Sequence, residues 1–338
     1  MNVEFDPSEL RLLVEDKAIR LHPLWMRERS REETAIDQRS FQRLYDPETL
    51  AGDLTFSDAK QLGSDEILIK FSDQHVAKYS LKDLLLEIEK KDNLPQKTLW
   101  NTNSLEFKEF YFNYNREIDK QMLEILEYFH QYGFVVVKDL KTKEGEVINF
   151  AERIGFIRET NFGKTFDVKS KKQPSDLAYT SIELGPHTDN PYRRPVPSIQ
   201  FLFSIENSCD GGDSTLVDGF QVAKDLKAQY PDAFKILTET NIFFKYTDQD
   251  TVLENSGTTI ELDDEGNFIQ IRFSNRLDLV PHQTPDKLAK YYNAKRIFHG
   301  MINSDKYLIK FRLPAGGLLI MDNYRLLHGR TSFNTAEG

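Results

Sequence analysis

Cysteine is almost missing from this chain. One thiol in 338 residues, Cys209, excludes an internal disulfide framework and points to a reducing compartment. Long apolar runs are missing too: no stretch approaches the ~20 consecutive apolar residues of a membrane-spanning helix. The segment 1–10 lacks the basic start and apolar run of a secretion signal. Basic residues are in deficit, 44 against 54 acidic, giving a net charge of −10. That balance disfavours nucleic acid or an anionic membrane as partner and suits the attraction of a small cation. No internal repeat or low-complexity tract occurs. What remains is a globular, intracellular chain, cytoplasmic by expectation, whose 39% hydrophobic content can build a core.

Two short stretches carry candidate chemistry: Pro186-His187-Thr188-Asp189 and Leu327-His328-Gly329-Arg330. In an extended strand, residues two apart point to the same side, so His187 and Asp189 can reach one ion without distorting the backbone. With His328 they make a 2-His-1-carboxylate set, which binds a divalent metal on one face and leaves the other positions open for substrate and oxygen. Taken alone, the His-x-Asp pair is a weak signal that reads more readily as a turn before Asn190-Pro191. His22, His75, His130, His282 and His299 have no second ligand at useful spacing and read as structural. Cys209 has no nearby histidine to activate it, which argues against a nucleophile.

The chain divides near residue 95. Before it, 66–71 and 75–79 flank Ser72-Asp73-Gln74 as a hairpin, and Ser80 caps a helix over 81–91 that Asn93-Leu94-Pro95 ends. After a connector, 101–106, an amphipathic helix over 118–133 leads into a strand at 134–137. Beyond that, short apolar runs alternate with turns such as Gly211-Gly212 and Pro314-Ala315-Gly316-Gly317, a pattern that suits a jelly-roll barrel. Helices over 221–229 and 284–292 are expected outside it. The fold class is α+β, mainly β: a small β-rich domain at 1–95 and a double-stranded β-helix (jelly-roll) domain at 106–338.

The segments Ala151-Glu152-Arg153-Ile154-Gly155-Phe156, His187-Thr188-Asp189, Gly212-Asp213-Ser214, Val217-Asp218-Gly219-Phe220 and Asp322-Asn323-Tyr324-Arg325-Leu326-Leu327-His328-Gly329-Arg330 occur in an order that resembles the taurine-dioxygenase-like iron(II)/2-oxoglutarate oxygenases, and within them the γ-butyrobetaine and trimethyllysine hydroxylases. The resemblance implies iron(II) on His187, Asp189 and His328, with 2-oxoglutarate as cosubstrate, O2 as oxidant, and succinate and CO2 as co-products. It places Ser214 at the cosubstrate's distal carboxylate, although Ser214 also reads as a turn serine after two glycines. Relatives pair that carboxylate with an arginine about a dozen residues past the distal histidine, a bidentate contact. Here no arginine follows Arg330, itself read as a structural ion-pair residue, and the sequence stops at Gly338. The expectation is therefore a barrel incomplete at its carboxy terminus.

The same resemblance places Phe162, Phe166 and Tyr179 around a trimethylammonium group, where each ring face contributes up to ~2 kcal/mol. Asp176, Asn275 and Arg276 fall at the substrate's anionic end. A γ-butyrobetaine-like substrate is expected, hence a step of carnitine biosynthesis. The alternatives are 2-trimethylaminoethylphosphonate, trimethyllysine, or a catalytically degenerate binder of quaternary ammonium ligands. In the amino-terminal domain, His22 to Arg27 resembles relatives whose following cysteines hold a structural zinc; residues 28–34 contain none, so no structural zinc is expected. The relatives imply a homodimer through this domain.

Overall fold

The computed structural model describes residues 2–15, 17–89, 94–105, 110–115, 117–169 and 180–334, which fall into two compact units, 1–93 and 94–338. In the first unit, strands Asn2–Asp6, Glu9–Val14 and Lys17–Leu21 form an antiparallel meander. Strands Phe56–Leu62, Glu66–Phe71 and Val76–Ser80 form a second one. Alternation decides what each strand buries: Ile67, Ile69 and Phe71 face inward and join Leu10, Leu12, Phe56 and Leu81 in one core. The Ser80 hydroxyl accepts from the Asp83 N–H at 3.2 Å and starts the helix Leu81–Ile88. The expected continuation of that helix over 90–91 lies outside the described residues. His75 is structural, its Nε2 lying 2.8 Å from Ser30 Oγ, and His22 Nδ1 accepts from the Leu24 N–H at 3.2 Å.

The second unit is built on two four-stranded sheets. One runs Ile309–Phe311, Ser214–Asp218, Leu326–Arg330, Leu184–His187; the other runs Ile199–Phe203, Leu318–Asp322, Phe134–Lys138, Tyr111–Asn113. Within them only the Tyr111–Asn113/Phe134–Lys138 pair is parallel. The sheets share a core in which Leu216, Leu326 and Phe311 of the first meet Phe134, Val136, Leu319 and Met321 of the second. The alternate residues point the other way. Val135, Val137, Leu318 and Ile320 pack on the helices Ile118–Tyr132 and Glu146–Ala151. Val217 and Leu327 pack on Gly219–Gln229, Pro231–Glu239 and Pro285–Ile302. Each such side chain contributes roughly 1.5–3 kcal/mol on burial, and a one-residue slip would exchange the two faces, so register is firmly set.

Two sequence expectations change in detail. The helix expected at 221–229 starts at Gly219, because the Asp218 carboxylate accepts from the Phe220 and Gln221 N–H groups at 3.1 and 3.2 Å. The helix expected at 284–292 runs Pro285–Ile302: Tyr291, Ala294, Phe298 and Ile302 make one buried stripe at spacings of three and four, and no proline follows Pro285 within it. The helix Ile118–Tyr132 ends at Gly133, whose φ of +87° only glycine adopts freely; its N–H bonds Phe129 O, and the strand Phe134–Lys138 follows at once.

Asp218 and Arg325 lock the base of the first sheet. Arg325 Nε and Nη2 donate to Asp218 Oδ1 and Oδ2 at 3.1 and 2.6 Å. The remaining donors reach Gln131 O and Thr98 O at 2.8 and 2.5 Å, and Asp218 Oδ2 also accepts from the Trp100 N–H at 3.0 Å. The pair therefore ties the start of Leu326–Arg330 to the end of Ser214–Asp218. Among the described residues no helix is long and apolar enough to cross a membrane.

Candidate metal centre

The metal-ligand geometry follows from strand parity. Leu326 and Leu216 point into the space between the sheets, so His328, two residues beyond Leu326, points there as well, where the strand nears its open end. In register, His328 lies opposite both Leu216 and His187. Gly329 permits this closeness: a Cβ there would lie 2.3 Å from Leu184 O and 2.7 Å from Thr215 Oγ1. Asp189 lies past the end of its strand, in a segment held by the fully buried Asn323. The Asn323 side chain accepts from the Asp189 N–H at 2.7 Å and donates to Asp189 O at 3.0 Å and Pro197 O at 2.9 Å.

His187 Nε2 and His328 Nε2 lie 3.5 and 3.7 Å from the two carboxylate oxygens of Asp189, and one ligand atom from each residue falls within 4.8 Å of the others. Among the described residues this is the one group of three or more His, Cys, Asp or Glu side chains so placed. His187 Nδ1 is 2.9 Å from Gly185 O, which can only accept, so the proton sits on Nδ1 and Nε2 offers its lone pair. Burial pushes the His328 imidazole down to about 4, aided by the charges of His187 and Arg276 and opposed by Asp189. Burial alone would raise the Asp189 carboxyl, but His328, His187 and the Gln200 amide hold it well below the usual carboxylate range. A neutral His328 imidazole, an ionised Asp189 carboxylate and the Nε2 lone pair of His187 thus lie close together, a donor set that a cation between them would satisfy. Bonds of about 2.0–2.2 Å to such a cation need only a small contraction of these separations, so the donors fit a divalent metal.

The triad opens on a cleft of about 2220 Å³ that Ser214, Phe162, Phe166 and Arg276 also line. Ser214 opens its strand opposite Phe311 and Arg330. Phe162 and Phe166 have ring centroids 5.6 Å apart. Asn275 is exposed and outside the cleft's described lining; the expectation of an anion contact from it finds no support in this placement, because the backbone turns Ser274 and Arg276 toward the cleft instead. Asp176 and Tyr179 lie outside the described residues. Arg330 Nη2 donates to Thr180 O at 2.6 Å and Ile182 O at 3.2 Å.

Several residues in or beside the site carry no sequence signal of their own. Tyr246 stands 5.5 Å from Phe162 and stacks on Tyr192 at 5.0 Å, extending the aromatic wall. The Tyr246 hydroxyl donates to Asp248 at 2.8 Å. The Arg193 guanidinium lies against Phe162 and Tyr192, at 5.8 and 5.5 Å. Gln200 and Asn323 bracket Asp189. Only Asn323 sat within a quoted motif, where its neighbours gave no hint of the role.

Comparison with known proteins matches residues 97–338 to the family described as taurine catabolism dioxygenase TauD, TfdA family. The γ-butyrobetaine dioxygenase of Pseudomonas sp. (strain AK-1) is 37% identical over 220 residues, covering 65% of this chain and 57% of that protein. That of Homo sapiens is 34% identical over 221 residues, covering 64% and 57%. The mitochondrial trimethyllysine dioxygenase of Gallus gallus is 27% identical over 344 residues, covering 96% and 81%. The chain thus spans little more than half the length of the first two. A putative α-ketoglutarate-dependent taurine dioxygenase from Burkholderia xenovorans shares the fold, with a TM-score of 0.50 at 14% identity over 70% of this chain and 85% of that one.

Proposed function

Because the chain belongs to the taurine catabolism dioxygenase TauD, TfdA family, we propose that it hydroxylates a small γ-butyrobetaine-like trimethylammonium compound with iron(II), 2-oxoglutarate and O2, releasing succinate and CO2. The observation that carries the reading is the convergence of His187, Asp189 and His328 on one point. Iron(II) held there would let O2 oxidise two partners at once, one oxygen atom going to succinate as 2-oxoglutarate loses CO2 and the other to the substrate C–H bond. The chain's own groups do the rest. His187 is held in the ligating tautomer by Gly185 O, and Asp189 is held by Asn323. Ser214 is assigned to the cosubstrate's distal carboxylate.

Phe162, Phe166 and Tyr246 offer ring faces to a group that cannot be satisfied by hydrogen bonds, each face worth up to ~2 kcal/mol. Arg276 is assigned to the substrate's anionic end. Trimethyllysine is the second reading, favoured by the likeness to trimethyllysine dioxygenases, which extends over 96% of this chain. A cytoplasmic homodimer completes the proposal, with fractionation and light scattering as its checks. The deciding experiment measures succinate release with γ-butyrobetaine, 2-trimethylaminoethylphosphonate and trimethyllysine. Turnover of none of them, by protein that binds iron(II) and 2-oxoglutarate, would remove the trimethylammonium reading.

A further inference from the structure

Gln200 sits in the middle of the problem that Asp189 poses. A carboxylate that faces a metal can bind through one oxygen or through both, and the second mode consumes a coordination position that substrate chemistry needs. The backbone of Asp189 is fixed by Asn323, but that clamp does not set the torsion of its carboxylate. Gln200 does. It comes from the opposite sheet, in the strand Ile199–Phe203, and its Nε2 donates to Asp189 Oδ2 at 2.5 Å. The direction of this bond is set by chemistry: an ionised carboxylate has no proton to give, so the amide nitrogen must face it. Gln200 Oε1 is then aimed away from Asp189. It is buried, lies in the lining of the same cleft and has no hydrogen-bond partner among the described residues. A buried amide oxygen in that state is an acceptor available to a donor from outside the described residues.

Resting on the metal reading above, we propose that Gln200 is a positioning residue with two roles. Its amide N–H occupies Asp189 Oδ2, which leaves Oδ1 as the oxygen that would be free to hold the metal. Its Oε1 offers an acceptor in the cleft to a bound water or hydroxyl group. Neither role is available to an apolar side chain of the same length, and a carboxyl can fill the first only when protonated.

The test uses Gln200→Met and Gln200→Glu with anaerobic cobalt(II) as the probe, read by its visible absorption and by titration, beside melting temperatures of the metal-free proteins. Outer-shell partners of this kind typically carry 10–100-fold in metal affinity. Gln200→Met is expected to bind cobalt(II) at least tenfold more weakly and with an altered spectrum while melting like the parent. Gln200→Glu, which keeps the length of the side chain and loses the amide N–H, is expected to show an altered cobalt(II) spectrum at one fixed pH. Parental affinity and spectrum in both variants would overturn the inference while leaving the metal centre standing. If the parent itself bound no cobalt(II), the inference and the metal reading would fall together. Should Gln200→Met fail to fold, the spectrum of Gln200→Glu decides alone.

Discussion

Arg325 and Asp218 meet through two hydrogen bonds, of 3.1 and 2.6 Å, in a place that solvent does not reach on either side. The pair lies three residues before His328 on one strand and four after Ser214 on its neighbour. Removing one partner strands the other: Arg325→Met leaves a buried carboxylate with its charge uncompensated, a loss of about 3–5 kcal/mol. Urea denaturation should register that loss. The double variant Arg325→Met/Asp218→Leu should recover part of it; if the double is as unstable as the sum of the singles, the charge pairing is not what matters.

Metal binding should stabilise the fold by mass action, because the three donors converge only when the sheets are formed. At 100 times its dissociation constant, manganese(II) is expected to add about 2.7 kcal/mol to unfolding. Calorimetry with and without the metal checks this. His187→Ala, Asp189→Ala and His328→Ala should each abolish the increment together with turnover.

Gly329 admits no side chain without a shift of Leu184 O, a backbone atom 2.3 Å from where the Cβ would sit. Gly329→Ala should cost about 1–3 kcal/mol by overpacking and weaken metal binding as well, since it pries apart the strands carrying His187 and His328. Melting and manganese(II) titration of the same variant measure both effects.

Acid should unfold the metal-free protein earlier than its net charge suggests. His328 is depressed from the ordinary 6.5 to about 4 by burial, and His75 is lowered by burial and by Arg27. A histidine held low contributes stability fully present above the unfolded-state value and lost as pH falls through the window between 6.5 and the folded value. For His328 that amounts to up to about 3 kcal/mol between pH 6.5 and 4. Denaturation of chelator-treated protein at pH 7 and pH 5 should reveal the drop, and His328→Gln should flatten it.

The aromatic wall is tested by Phe162→Leu and Tyr246→Leu. If each ring face meets a trimethylammonium group, each change raises KM for such a substrate by up to about 30-fold, equivalent to ~2 kcal/mol, and leaves cobalt(II) binding unchanged. An unaltered KM in both would place the cation elsewhere.

The cluster of His187, Asp189 and His328 was legible because the first two stand two apart in one short motif and the third lies in the stretch 322–330. The jelly roll was legible from turn spacing and the cap at Ser80 from residue type, whereas the helix expected at 221–229 missed the cap that Asp218 supplies. Tyr192, Tyr246 and Gln200 were not legible, since each is an ordinary strand or turn residue whose importance arises only from which distant strand passes beside it. Asn275 shows a further limit: which of the consecutive residues 274–276 lines a cleft is fixed by backbone torsion, which a motif does not display.

The inward parity of His328 with Leu326 and Leu216 also says where this chain can tolerate changes of length. One residue inserted between Arg325 and His328 would turn the imidazole to the helical exterior and silence the centre while leaving most of the hydrophobic packing intact. The exposed turn 263–267, between the strands Ile260–Leu262 and Phe268–Ile271, carries no such phase constraint. Insertions and deletions that preserve chemistry should therefore accumulate in that turn and be purged from the three-residue span before the distal ligand.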